Sequence, residues 1–164
     1  MSIHTLEDLF IQELSYIQSA EKQLIKALPK MARAASDMEL AQCFEDHLKE
    51  TENQAYRLER AFEYCGLKAR RLKCLAMEEL IEEGQEVIDT IQKGPLRDAA
   101  LISAVQKVEH YEIAAYGSIV TLANQLGYTK AARLLEATLN EEKVVDERFA
   151  DLAEGGINEM AQAA

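Results

Sequence analysis

Glycine and proline are scarce, at seven and two in 164 residues, so few positions force a turn or break a helix. Cysteine is rarer than a disulfide framework needs. Cys43, Cys65 and Cys74 are odd in number, show no zinc-ligand spacing and read as free small hydrophobes in a reducing cytoplasm. Histidine occurs three times, so any metal site must be built mainly from carboxylates. Positive charge is in deficit, with 18 basic against 29 acidic side chains and a formal charge of −11. That balance argues against a nucleic-acid partner and against an anionic membrane surface. No apolar run approaches the roughly 18 residues of a membrane-spanning helix. The opening "MSIHTLEDLF" lacks the basic and apolar regions of a signal peptide, and a cytoplasmic location is expected. Neither a Ser–His–Asp order nor a glycine-rich phosphate loop is present.

What is abundant is Ala, Leu, Glu, Gln and Lys, all good helix formers. Leu6, Phe10, Leu14, Ile17, Leu24 and Leu28 repeat at threes and fours and predict a first helix from Thr5 to about Ala34, kinked or broken at Pro29. A second runs from an Asp37 cap to Gly66, with Leu40, Phe44, Leu48, Leu58 and Phe62 as its stripe. "LKARRLKCLA" has no amphipathic reading and suits a crossover, which continues into a short helix, "MEELIEEGQEVIDTI". A fourth helix starts near Pro95 and reaches about Gln125. A fifth spans roughly Thr129 to Glu154, and "INEMAQAA" reads as a frayed tail. Two long hairpins joined by a long connection predict an all-α four-helix bundle whose crossover contains the short additional helix.

Several acids fall on the inner faces of these helices. At about 100° per residue, Glu21 lies inside the stripe of Ile17, Leu24 and Leu28. In "VEHYEIAAYG", Glu112 sits mid-stripe between Val108, Ala115 and Ile119, with Glu109 one turn away on its edge. Glu142 lies among Leu135, Thr138, Val145 and Phe149, and Asp146 nearer the edge. Folding each hairpin at its turn brings Glu112 level with Glu142, and Glu21 close in level to Glu52, Glu50 and His47. On helix two, His47 and Thr51 are nearest the inner face, with Glu50 and Glu52 on opposite flanks. Glu52 is preferred for lying slightly closer to the stripe. Buried carboxylates need compensation, and bridging carboxylates with an imidazole can hold two hard cations close together. Tyr16, Tyr111 and Tyr116 read as packing residues or phenolic hydrogen-bond donors. "EELIEEGQE" reads as a solvated acidic face.

The stretches "AEKQLIKALPKM", "FEDHLKETENQAYRLE", "VEHYEIAAYG" and "LLEATLNEE" together resemble the YciE/YciF-type bacterial stress proteins, across nearly the whole chain. The resemblance implies a ferritin-like bundle, a homodimer, and a di-iron centre like that of rubrerythrin. Glu21, His47, Glu52, Glu109, Glu112 and Glu142 are the expected metal ligands, two iron ions per chain the expected cofactor, and manganese the alternative. Oxygen or peroxide would be bound or reduced during stress. The chain departs from the wider pattern, since neither Glu52 nor Glu142 is followed three residues later by histidine. It also lacks a four-cysteine rubredoxin-type module, so turnover would need a separate electron donor. An iron-storage protein and a non-enzymatic stress-induced interaction protein are the other readings.

Overall fold

The computed structural model describes residues 2–164. Helix α1 spans Leu6–Ala34, α2 Met38–Cys65, α3 Leu75–Thr90, α4 Pro95–Gln125 and α5 Thr129–Leu152. A π-helical turn, Ala153–Ile157, leads into a short α6, Asn158–Ala163. Each start is chemically marked. Thr5 and Asp8 form a reciprocal capping box, Asp37 accepts the Leu40 amide at 2.9 Å, and Pro95 occupies the first turn of α4. Gly66 ends α2 in the left-handed region at φ 67°. There its amide bonds the Glu63 carbonyl and the Leu67 amide bonds that of Phe62, so carbonyls of the last turn are not orphaned.

Helices α1 and α2 form one antiparallel hairpin and α4 and α5 the other. Contacts of α1 with α4 and of α2 with α5 close the ring, and α3 packs outside against α1 and α4. Phe10, Leu14, Ile17, Leu24 and Leu28 meet Phe44, Leu58, Val105, Ile119, Leu135 and Phe149 in the buried interior. The molecule is an all-α, ferritin-like four-helix bundle with its extra short helix in the crossover. No helix among the described residues is long and apolar enough to cross a membrane.

The crossover has no helix of its own between Leu67 and Cys74, so side chains of α1 must satisfy its backbone. Ser15 accepts the Arg70 amide at 2.9 Å, Ser19 accepts the Cys74 amide at 3.0 Å, and Gln23 donates to the Cys74 carbonyl at 3.0 Å. Spaced four apart, these three side chains form one polar ladder along a single face of α1.

Two expectations are corrected. Pro29 does not break α1, which continues to Ala34. One lost amide, four residues after Ile25, is tolerated where Ala27, Leu28 and Met31 are held in the core. The tail is not frayed. Gly156, at φ 144°, lets the chain turn back so that Ile157 is buried and α6 packs on α4.

Asp98, near the start of α4, is buried and accepts the Ser36 and Asp37 amides at 2.7 and 2.9 Å. It thereby clamps the α1–α2 turn to the second hairpin. Asp98→Ala leaves both amides without their acceptor and is expected to cost about 3 kcal/mol. A thermal melt should fall by roughly 5–10 °C. An unchanged melt would show that the clamp contributes nothing.

Candidate metal centre

Four helices deliver five ionisable side chains to one point in the bundle. Glu21 comes from α1, His47 from α2, Glu109 and Glu112 from consecutive turns of α4, and Glu142 from α5. All five are completely shielded from solvent. His47, Glu109, Glu112 and Glu142 each offer one ligand atom, and these four atoms lie within 4.8 Å of one another. That cluster can hold a metal ion. Glu21 extends it. Its carboxylate faces Glu112, and its Oε1 accepts the buried Tyr116 hydroxyl.

The bonding of this cluster is incomplete in a telling way. Seven of its eight carboxylate oxygens receive no donor, and neither nitrogen of His47 makes an aligned hydrogen bond. His47 Nε2 lies 2.7 Å from Glu109 Oε1, yet the ring N–H does not point along that contact. The two form a close buried ion pair, and the same approach places one atom of each within the group of four that could surround an ion. Among the described residues no lysine or arginine pairs with any of the four carboxylates. The nearby Arg57 is spent on Glu141. The group that fits is cationic and oxygen-seeking, and the donor set matches a hard or borderline divalent metal.

Protonation in the metal-free cluster follows from the same crowding. Burial, then repulsion from Glu21, Glu142 and Glu109, holds the Glu112 carboxyl well above the usual carboxylate range. Burial and repulsion by Glu109 do the same for Glu142, against the attraction of His47. Burial raises Glu21 to about 7, against the Tyr116 hydrogen bond and the pull of His47. Glu109 behaves oppositely. Burial opposes its charge, but the neighbouring His47 outweighs it and holds the carboxyl low. Burial also opposes charge on His47, and the attraction of Glu109 overrides it, so the imidazole stays protonated well above its ordinary range.

The structure brings Glu21, His47, Glu109, Glu112 and Glu142 together and leaves Glu52 out. Glu52 is exposed, because the inward line of α2 runs through His47, Thr51, Gln54 and Leu58. The flank that does approach is that of Glu50. Its Oε2 is buried 3.8 Å from His47 Nδ1, although the side chain is 43% exposed. Asp146 stays at the bundle edge, where it meets His110 at 3.0 Å and Gln106 at 3.5 Å. Gln54 is a buried polar residue absent from the sequence-based site. Its spacing of seven from His47, on the same helical line, is the signal that could have found it.

The chain matches the family model described as a domain of unknown function, DUF892, over residues 5–162. It is 54% identical to Protein YciF of Escherichia coli (strain K12), covering 99% of this chain and 98% of that one. The crystal structure of the E. coli stress protein YciF superposes with a TM-score of 0.92 at 55% identity, over 95% of this chain and 99% of that chain. YcfI of Rhodopseudomonas palustris superposes with a TM-score of 0.87 at 40% identity, over 91% and 95% of the two chains. The chain belongs to the DUF892 family.

Proposed function

We propose that this member of the family is a di-iron carboxylate protein that binds and reduces oxygen or peroxide under stress. The carrying observation is the charge and geometry of one buried cluster, in which four glutamates gather around a single imidazole with no lysine or arginine to offset the remaining charge. Two divalent ions match four carboxylates in charge. His47, Glu109, Glu112 and Glu142 would hold one ion, and Glu21 with Glu112 would hold the second. When bound, such a pair supplies Lewis acidity and an exchange of electrons with a small oxygen species. Iron is the first assignment and manganese the alternative, since both accept this donor set.

The protein's own residues prepare the site. Tyr116 fixes Glu21 by donating to Oε1, which leaves Oε2 free. Burial keeps that phenol protonated, so it remains a donor at neutral pH. Phe44, Phe149, Leu24 and Val108 are buried beside these residues in the same core and keep bulk water from the carboxylates. The reductant would come from a separate protein. The stress setting rests on the likeness to YciF.

Self-association belongs to the same proposal. Tyr56 and Tyr64 are 62% and 47% exposed on α2 and suit a twofold contact. Two other tyrosines are engaged within the chain, Tyr111 by bonding Cys74 and Tyr128 by stacking on Phe10 and bonding Glu7.

Anaerobic loading with ferrous iron, followed by metal analysis, should give about two tightly held ions per chain. The loaded protein should consume peroxide and sediment at twice the chain mass. Absence of stoichiometric uptake would remove the metal centre. Uptake without consumption would leave a binding protein only, and a particle of one chain would remove the dimer.

A further inference from the structure

Gln54 is completely buried, and neither its Nε2 nor its Oε1 has a hydrogen-bond partner. Such an amide costs stability wherever it is left unsatisfied, and a leucine would fill the same space without that cost. Its position explains where the missing partner belongs. Gln54 follows Thr51 by three residues on the inward line of α2, and Thr51 is buried too, with its hydroxyl spent on the His47 carbonyl at 2.8 Å. In ferritin-like bundles this spacing is the one that carries Glu-x-x-His, with both side chains aimed at the metals. Here the pair is Thr-x-x-Gln. It supplies no charge, and its second member presents an NH₂ donor in place of an imidazole nitrogen.

The neighbourhood restricts what that donor can reach. Arg57, the next turn of α2, is clamped to α5 through Glu141 and the Thr138 hydroxyl, the latter at 3.2 Å. This ion pair is only partly exposed. Counting back through the α1–α2 turn near residue 36 puts Gln54 within about one helical turn of the level of Glu21, whose Oε2 has no donor. Along the inward line of α2, Gln54 therefore lies between the turn that carries this ion pair and the turn that carries His47.

We propose that the Gln54 amide donates a hydrogen bond to the small anionic molecule held at the metal pair. The ligand class is compact and oxygen- or nitrogen-terminated, such as hydroxide, a peroxide anion or azide. This rests on the two-metal reading above. The amide orients the ligand and holds no metal itself.

Azide is the probe. Gln54→Met keeps the length of the side chain and removes both polar atoms. The ferric-loaded variant is expected to retain the wild-type metal content while azide binding, followed by its charge-transfer absorption, weakens about tenfold or more. The metal-free variant is expected to melt above wild type, because an unsatisfied buried amide has gone. Unchanged azide affinity at full metal content would overturn the proposal and leave the metal centre standing. A lower metal-free melt with unchanged azide binding would also overturn it, by showing a structural amide. Wild-type protein that takes up no metal would overturn both readings at once. Should the Met variant fail to fold, Gln54→Leu removes both polar atoms in a good helix former of similar volume. Azide binding must then weaken at least as much, and equal binding would count against the proposal.

Discussion

Glu112→Gln is expected to lower metal affinity by about 100-fold or more and to abolish stoichiometric uptake of the second ion. Glu112 is the one carboxylate that belongs to the four-residue cluster and also faces Glu21, so both proposed ions depend on it. Glutamine preserves size while removing the charge, and it cannot bridge two cations as a carboxylate does. Peroxide consumption should fall in parallel with metal content. The fold should survive, because burial and the repulsion of its carboxylate neighbours already favour the neutral form of the Glu112 carboxyl in the metal-free protein. Calorimetric titration of the variant against wild type is the measurement. If the glutamine variant binds two ions as tightly as wild type, Glu112 has no central role and the ligand set must be redrawn. A stress-induced interaction protein without metal would show no metal binding in either protein and no change in assembly.

The second large effect is a pH dependence that reverses when metal is added. Glu21, Glu112 and Glu142 have folded-state pKa values above their unfolded ones, and so does His47. Each contributes stability that is complete below its unfolded pKa and is lost as pH rises through its folded pKa. For Glu21 the window runs from 4.5 to about 7. Its share alone is about 3 kcal/mol. Glu109 has the opposite sign, since its lowered pKa gives stability that is lost on acidification, and it offsets part of the total. Metal-free protein is therefore expected to melt roughly 5–10 °C lower at pH 8 than at pH 5. Metal inverts the trend. Binding displaces the protons from the raised carboxylates and so strengthens as pH rises, which makes the loaded protein more stable at pH 8 than the metal-free one by the largest margin. Paired melts with and without ferrous iron, taken anaerobically from pH 5 to 8, test this. A metal-free melt that rises through that range would contradict the assignment of raised carboxylates. Glu112→Gln should flatten the slope, since one of the contributing groups no longer titrates.

Much of this protein was readable from residue spacing. The four long helices are written in apolar repeats at threes and fours, and their ends in Thr5, Asp37, Gly66 and Pro95, because caps and turns act over a few residues and need no distant partner. Helical phase marked Glu21, Glu109, Glu112 and Glu142 as inward. The hairpin turns near residues 36 and 127 set their levels, so their convergence followed from counting. The second helix resisted that method. Glu50 and Glu52 flank the same inward line, and a one-residue step of about 100° does not say which flank bends toward the centre. Side chains on a helix lean toward its N-terminus, so Glu50 tips back over His47 while Glu52 tips away into solvent. Packing also decided the fate of Pro29 and of the tail. A missing amide is tolerated when the surrounding turn is held by a core, and Ile157 has a burial site only because α4 lies beneath it. Gln54 and Tyr116 depend on tertiary structure most of all. A polar side chain inside a bundle takes its meaning from the partner across from it, and that partner stands on another helix, beyond the reach of any local spacing.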